Sequence, residues 1–374
     1  MKILFVTTIS NAINAFLIPH IELLLKQGHE VDLACNIVRE VSPELLRLGC
    51  KVHKICFQRS PLKKDNYTAY KKIKRLVLSE GYEVIHTHTP VASFLTRLAC
   101  RKMAKVKILY TAHGFHFYQG APLKNWLIYY PLEKAAARWT DSLITMNKED
   151  YKLAHKFKLR KAKAIHKVNG VGIDLQKFVP QTLARKRELR KKYGYNDDDF
   201  ILIYAAELNY NKHQDLLIKA VKLVRNKMPG IKLLLAGSGS LAEQYKKQVK
   251  RLGLEENISF LGHRDDIAAL LLLSDLAVSS SRREGLPVNV MEAMATGLPL
   301  VVTDSRGNRD LVSDGGNGYV VGINDVPGFA GAIEKLYSSA EIRQRFSEKS
   351  LDLVKRYALE RVKEEMKEIY AHYL

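Results

Sequence analysis

At 374 residues the chain is long enough for two domains of ~100–200 residues, each with a sizeable buried core. Its 47% apolar and 26% charged residues exclude a disordered or fibrous protein. The four cysteines form no Cys-x-x-Cys pair, which excludes a disulfide framework and a zinc site, and the formal net charge of +21 calls for an anionic partner.

The first half alternates strands with helices. Lys2 to Thr8 is an apolar strand, its run too short for the core of a signal peptide. A loop, Ser10 to Asn14, leads to a helix from Phe16 to Gln27 closed by Gly28. Glu30 to Asn36 and Lys51 to Phe57 read as strands, and Tyr67 to Glu80 as a basic amphipathic helix ending at Gly81. Val84 to His86 is a short strand entering His88-Thr89-Pro90, followed by a helix from Val91 to Arg101. The strand Lys107 to Ala112 runs into His113-Gly114, the helix Leu123 to Arg138 follows, and Ser142 to Met146 closes the set as a strand.

A boundary falls at Asn169-Gly170-Val171-Gly172, and a charged helix, Leu183 to Tyr193, precedes a second run of the same kind. Its strands are Phe200 to Ala205, Ile231 to Ala236, Ile258 to Leu261, Leu276 to Ser279 and Pro299 to Thr303. Its helices are Gln214 to Asn226, Leu241 to Arg251, Ile267 to Leu273 and one opening at Asn289. Arg356 to Leu374 is a long final helix expected to return to the first domain. No run approaches the ~18 apolar residues of a membrane span; Ala268 to Leu273 stops at Ser274-Asp275. Strand–helix alternation implies parallel sheets with helices on both faces, so the expected fold is α/β, two doubly wound Rossmann-like domains facing across a cleft. The expected boundaries are 1–175 for an acceptor-binding domain, 176–355 for a nucleotide-sugar-binding domain and 356–374 for the returning helix.

The charge is one-sided. Residues 1–180 hold 30 Lys and Arg against 13 Asp and Glu, and the remainder 30 against 26. Basic clusters lie at Lys63-Lys64, at Lys71 to Arg75, and from Lys156 to Lys167. Such a field suits an anionic membrane surface, a phosphorylated acceptor or nucleic acid; no nucleic-acid-binding motif accompanies it.

In open parallel sheets, ligands bind beyond the carboxyl ends of the strands. Here those ends carry His86 and His88, His113-Gly114, Glu207, Gly237-Ser238-Gly239, Gly262-His263-Arg264 and Ser279 to Gly285. The sharpest pattern is Ser281 to Pro299, in which Glu284 lies on a loop and Glu292 about one turn into the next helix. Free backbone N–H groups from Gly285 to Asn289 lie between the two carboxylates. They suit a phosphate, and each carboxylate suits sugar hydroxyls.

With Glu284 and Glu292 as its Glu-x7-Glu signature, nearly the whole chain resembles the family 4 glycosyltransferases. These are retaining enzymes of the two-domain GT-B architecture. The resemblance implies that Glu292 holds the nucleotide ribose and Glu284 the transferred sugar, with Gly285, Leu286, Pro287 and Val288 framing the distal phosphate. It implies further that the loop of Gly262 and Arg264 receives the base; Gly237, by its position at a strand end, reads as a further donor-side residue. Lys212 would neutralise the diphosphate and His113 would reach the donor sugar. Asn169-Gly170-Val171 with Asp174 and Phe178 matches the family's interdomain stretch, and His113 to Pro122 resembles a branch found in capsule and exopolysaccharide assembly. Glu207 stands where the family carries an arginine.

The expected activity is thus retaining transfer of a hexosyl or N-acetylhexosaminyl group. The donor would be a nucleotide sugar with uridine as the base, and the acceptor a glycan or a polyprenyl-diphosphate-linked sugar. His86 and His88 read as acceptor-side residues. No metal or other cofactor is expected, because no Asp-x-Asp lies at a strand end, and no nucleic-acid partner is expected. The expected location is cytoplasmic, peripheral on the inner face of the cell membrane. Alternative readings are a sugar-nucleotide epimerase of the same architecture and a non-catalytic scaffold of a polysaccharide complex.

Overall fold

The computed structural model describes residues 1–160 and 164–374. Lys161 and Lys163 of the basic run lie outside the described residues. The chain divides into two compact units, Met1–Val171 with Glu360–Leu374, and Gly172–Leu359.

The first unit is a seven-stranded parallel sheet. Its strands are β1 (Lys2–Ile9), β2 (Glu30–Asn36), β3 (Val52–Lys54), β4 (Val84–His88), β5 (Lys107–Ala112), β6 (Ser142–Thr145) and β7 (Ile165–Lys167), in the order β3-β2-β1-β4-β5-β6-β7. Central strands covered on both faces need no polar alternation, which is why Ile3 to Val6 form one continuous apolar run with no exposure. The strand order reverses between β1 and β4, so their carboxyl ends open a crevice. The helix Leu359–Ala371 closes this unit through Val362, Met366, Ile369 and Tyr370, spaced for one buried face. Glu365 accepts from the backbone N–H and side-chain amide of Asn169, at 2.9 and 2.5 Å.

The second unit is a six-stranded parallel sheet of β8 (Phe200–Ala205), β9 (Ile231–Ala236), β10 (Ile258–Gly262), β11 (Leu276–Ser279), β12 (Leu300–Thr303) and β13 (Gly318–Val321). Its order is β10-β9-β8-β11-β12-β13, and the reversal falls between β8 and β11. Leu202, Leu233, Leu235 and Leu276 of these strands pack with Leu216, Ile218, Phe329 and Ile333 of flanking helices into one core.

Three local readings are corrected. Ser10 to Asn14 is helical, not a loop. Ser10–Ala12 and Ile18–Lys26 are joined by π-type turns over Ile13–Leu17, just before Pro19, which lacks an N–H and crowds the preceding turn. Lys51 to Phe57 is a strand only at Val52–Lys54, an edge position where pairing to β2 ends. Arg356 to Leu374 is not one helix. A 3-10 turn, Lys355–Tyr357, is followed by extended Ala358, which bridges Ile173 before the helix begins. The elements Lys148–Ala154, Val326–Ser338 and Ala340–Val354, with β7 and β13, are further parts of the fold.

Candidate functional site

In the second unit, the reversal between β8 and β11 gathers Lys212, Glu284 and Glu292. Residues after β8 form a tight turn. The Lys212 backbone N–H donates to Asn209 Oδ1 at 3.0 Å, and His213 follows in the left-handed region. Lys212 Nζ then reaches Glu284 Oε1 at 2.5 Å. Both side chains are mostly buried, 21% and 11% exposed. Burial pulls the Lys212 ammonium down, but Glu284, Tyr204 and Glu207 more than offset it and hold it above its ordinary range. The lysine therefore stays charged.

The loop carrying Glu284 is fixed from four sides. Asn211 Nδ2 donates to the Arg283 carbonyl at 2.9 Å, and the Arg282 N–H donates to the Asn211 carbonyl at 2.8 Å. Thr303 Oγ1 donates to the Ser281 carbonyl at 2.6 Å, and Arg306 Nε donates to the Glu284 carbonyl at 2.9 Å. A Cβ on Gly307 would lie 2.5 Å from the Gly285 carbonyl oxygen, so only glycine lets that chain pass.

The helix Val288–Ala295 begins after Pro287 without a side-chain cap. Its first N–H groups lack intrahelical acceptors and carry the positive end of the helix dipole. The carboxyl of Glu292, one turn in, makes no hydrogen bond or ion pair among the described residues. Burial pushes its carboxyl up to about 7, against a weaker pull from Lys177. A titrating carboxylate without a partner, next to an uncapped helix start, is the kind of group that a ligand satisfies.

The remaining donor-side residues are engaged differently. Gly237 sits at φ +153, where a Cβ would meet the Ala206 carbonyl oxygen at 2.0 Å. The Ala206 N–H donates to the Ala236 carbonyl and the Leu208 N–H to the Ser238 carbonyl, so the glycine permits β8 and β9 to stay paired past their ends. Gly262 sits at φ +66 in open space. Arg264 is paired with Asp266, which also accepts from Tyr193 Oη at 2.5 Å. Arg282 lies over the Tyr210 ring at 4.5 Å and donates to Asn324. Glu207 is exposed, and its carbonyl accepts from Gln214.

In the first unit the histidines form one cluster. His86 and His88 share a face of β4, two residues apart, with ring centroids 4.1 Å from each other. His88 Nδ1 and His113 Nε2 lie 3.1 Å apart and share one proton. His20 Nε2 donates to the Val171 carbonyl at 3.3 Å. Burial pushes the imidazoles down, His20 and His113 to about 4, His86 to about 3 and His88 well below its ordinary value, so all four are neutral near pH 7. The reading of His86 as an acceptor contact is corrected. It is 1% exposed, and both ring nitrogens are taken by Tyr370 Oη and Thr111 Oγ1 at 2.8 Å. His88 is 2% exposed, leaving His113 as the more open member of the cluster.

Comparison with known proteins fits this arrangement. The family model described as "Glycosyl transferase 4-like" matches residues 2–147, and "Glycosyl transferases group 1" matches residues 185–352. The EpsD protein of Bacillus subtilis (strain 168), whose name assigns it to the glycosyltransferases, is 39% identical over 375 residues, covering 100% of this chain and 97% of its own. The chain belongs to the family 4 glycosyltransferases. The glycosyltransferase is also similar to the Escherichia coli UDP-Gal:alpha-D-GlcNAc-diphosphoundecaprenol alpha-1,3-galactosyltransferase, at 29% identity over 84% of this chain and 82% of that one. Its fold is GT-B, shared with Anabaena HepE solved in complex with UDP and glucose, at a TM-score of 0.81, 20% identity and full coverage of both chains.

Several residues of the glycosyltransferase's site escape a reading by motif. Asn211, Thr303 and Arg306 act through carbonyls of the loop that bears Glu284, and a side chain bonding to backbone leaves no spacing signal. Gly307, four residues past the apolar strand β12, is a local signal of the kind that marks a close backbone approach.

Proposed function

We propose that this protein is a retaining transferase that moves a hexosyl or N-acetylhexosaminyl group from a UDP-sugar to a polyprenyl-diphosphate-linked or other glycan acceptor. The pathway would be the assembly of a capsular or extracellular polysaccharide. The unpartnered Glu292 carboxylate beside an uncapped helix start carries the reading. The backbone N–H groups of Leu286 and Val288 take the distal phosphate, Glu292 accepts from the ribose hydroxyls, and Glu284 accepts from the transferred sugar. The E. coli relative's name, with its UDP-sugar donor and lipid-diphosphate acceptor, supports the substrate classes, as does UDP bound to HepE.

In this scheme the bond from the anomeric carbon to the β-phosphate oxygen breaks, and the acceptor oxygen bonds to the same face of that carbon. The acceptor's proton passes to the leaving phosphate. Lys212 and the helix amides stabilise the developing charge, and neutral His113 hydrogen-bonds the donor sugar. Metal plays no part, so EDTA is expected to leave the rate of UDP release within twofold. A trapped glycosyl–enzyme adduct on any carboxylate would overturn the same-face mechanism.

No helix among the described residues is long and apolar enough to cross a membrane. The basic first unit, at ~1 kcal/mol per nearby Lys or Arg, would hold the protein on an anionic inner membrane face.

Thermal shift with UDP, GDP and ADP tests the donor site. UDP should stabilise the wild type most. Glu292→Ala should weaken UDP about tenfold to a hundredfold, the loss of a hydrogen bond to a charged acceptor. Ribose favours the ionised carboxylate, so wild-type affinity should fall as pH drops below about 7. A folded protein that binds no nucleotide at millimolar concentration sinks the reading.

A further inference from the structure

The first unit carries two large cavities apart from the histidine cluster. One, about 490 Å³, opens at the end of β1, lined by Thr8, Asn11, Arg59 and Thr89. The other, about 270 Å³, lies between the helices Pro90–Cys100 and Leu123–Ala137, walled by Phe94, Leu95, Phe117 and Leu132. Pro61, Pro90, Val91, His116 and Tyr129 line both, so the two are neighbouring lobes of one depression. Together they are of the size of a small-molecule site, ~300–1,000 Å³.

The lobes differ in chemistry. In the first, Arg59 is exposed, and its guanidinium makes no hydrogen bond or ion pair among the described residues. Asn11 Oδ1 is buried there without a partner. Thr89 holds φ +65, unusual for a non-glycine, and its Oγ1 accepts from the Thr8 N–H at 2.9 Å. That kink begins the helix at Pro90. The second lobe is apolar and offers no free charge. Its one ionised pair, Arg97 and Glu133, is closed on itself at 2.6 and 3.2 Å, with the guanidinium over the Tyr110 ring. On the helix that walls this lobe, Leu123, Leu127 and Ile128 are more than half exposed.

A polar, cationic lobe joined to an apolar one fits a ligand with an anionic head and an apolar chain. We propose that this depression seats the lipid end of the acceptor. The diphosphate lies at Arg59 and the start of the helix Pro90–Cys100, and the first chain units lie between that helix and Leu123–Ala137. The exposed leucines of the latter continue the apolar path. This rests on the transferase reading with a lipid-linked acceptor, and the excess of positive charge in residues 1–180 complements the head.

Calorimetric titration of the full chain with farnesyl diphosphate, farnesol and inorganic pyrophosphate tests it, with UDP titrated alongside. Farnesyl diphosphate should bind the wild type more tightly than either half-ligand. Arg59→Gln should weaken it about tenfold while leaving farnesol unchanged, and Val91→Trp, which fills the junction of the lobes, should remove binding of both. UDP should bind all three proteins alike. Arg59 is exposed, so its variant keeps the fold even if Val91→Trp does not. Failure of the wild type to bind farnesyl diphosphate, or equal binding by Arg59→Gln, overturns the proposal. If UDP still binds in that case, the transferase reading survives; if UDP fails as well, both fall.

Discussion

Replacing Lys212 with methionine is expected to lower kcat about 10²–10³-fold, the usual cost of one preorganised group that stabilises charge in the transition state. The expectation is at the upper end because few other cations serve the site. Glu207 stands where a second cation would assist, Arg282 is held by Tyr210 and Asn324, and Arg264 is paired with Asp266. Lys212 is bonded to Glu284, so the variant also strands a mostly buried carboxylate. Some loss of stability follows, and Lys212→Met/Glu284→Gln separates the two effects. The double variant should recover melting temperature without recovering rate. Single-turnover UDP release, from whichever UDP-sugar stabilises the protein, is the measurement. A stable Lys212→Met protein with kcat within threefold of wild type would remove the lysine from the chemistry.

How much of this was legible depended on whether the signal was local. β1 and β8 announce themselves because a central parallel strand is apolar on both faces, and the Glu284–Glu292 spacing is fixed within a single loop and helix. The Lys212–Glu284 bond joins residues 72 apart, and sequence supplies the two partners but not their contact. His86 and His88 share a face by strand periodicity alone. Their burial depends on Met366 and Tyr370 of a helix nearly three hundred residues later. A histidine at a strand's carboxyl end therefore read as a ligand contact when it was core. The π-type turns over Ile13–Leu17 were masked because polar Ser10-Asn11 suggested a loop, whereas Pro19 was the informative residue.

The buried histidines carry the second large effect, a loss of stability in the first unit at mildly acid pH. Each has a folded-state pKa below its unfolded value near 6.5, so between the two the unfolded chain binds the extra proton. Their contribution is fully present above about 6.5 and is lost as pH falls toward 4. At pH 5 a single such group costs ~2 kcal/mol at 1.36 kcal/mol per unit. The His88–His113 bond cannot survive two protonated rings, so these protons are coupled and the four costs do not simply add. A total of ~5 kcal/mol lowers the melting temperature roughly 10–20 °C in a unit of this size. Both tryptophans, Trp126 and Trp139, lie in the first unit, so selectively excited tryptophan fluorescence follows that unit alone. Glu292 acts oppositely in the second unit. Its folded pKa is raised to about 7, so the second unit gains stability as pH falls from 7 toward 4.5, and nucleotide-free melting of the two units should diverge. His20→Leu should flatten the pH dependence of the tryptophan-detected transition by about one proton. A tryptophan transition that does not move between pH 7 and pH 5 would mean that the imidazoles are solvated, and the closed histidine core would be wrong.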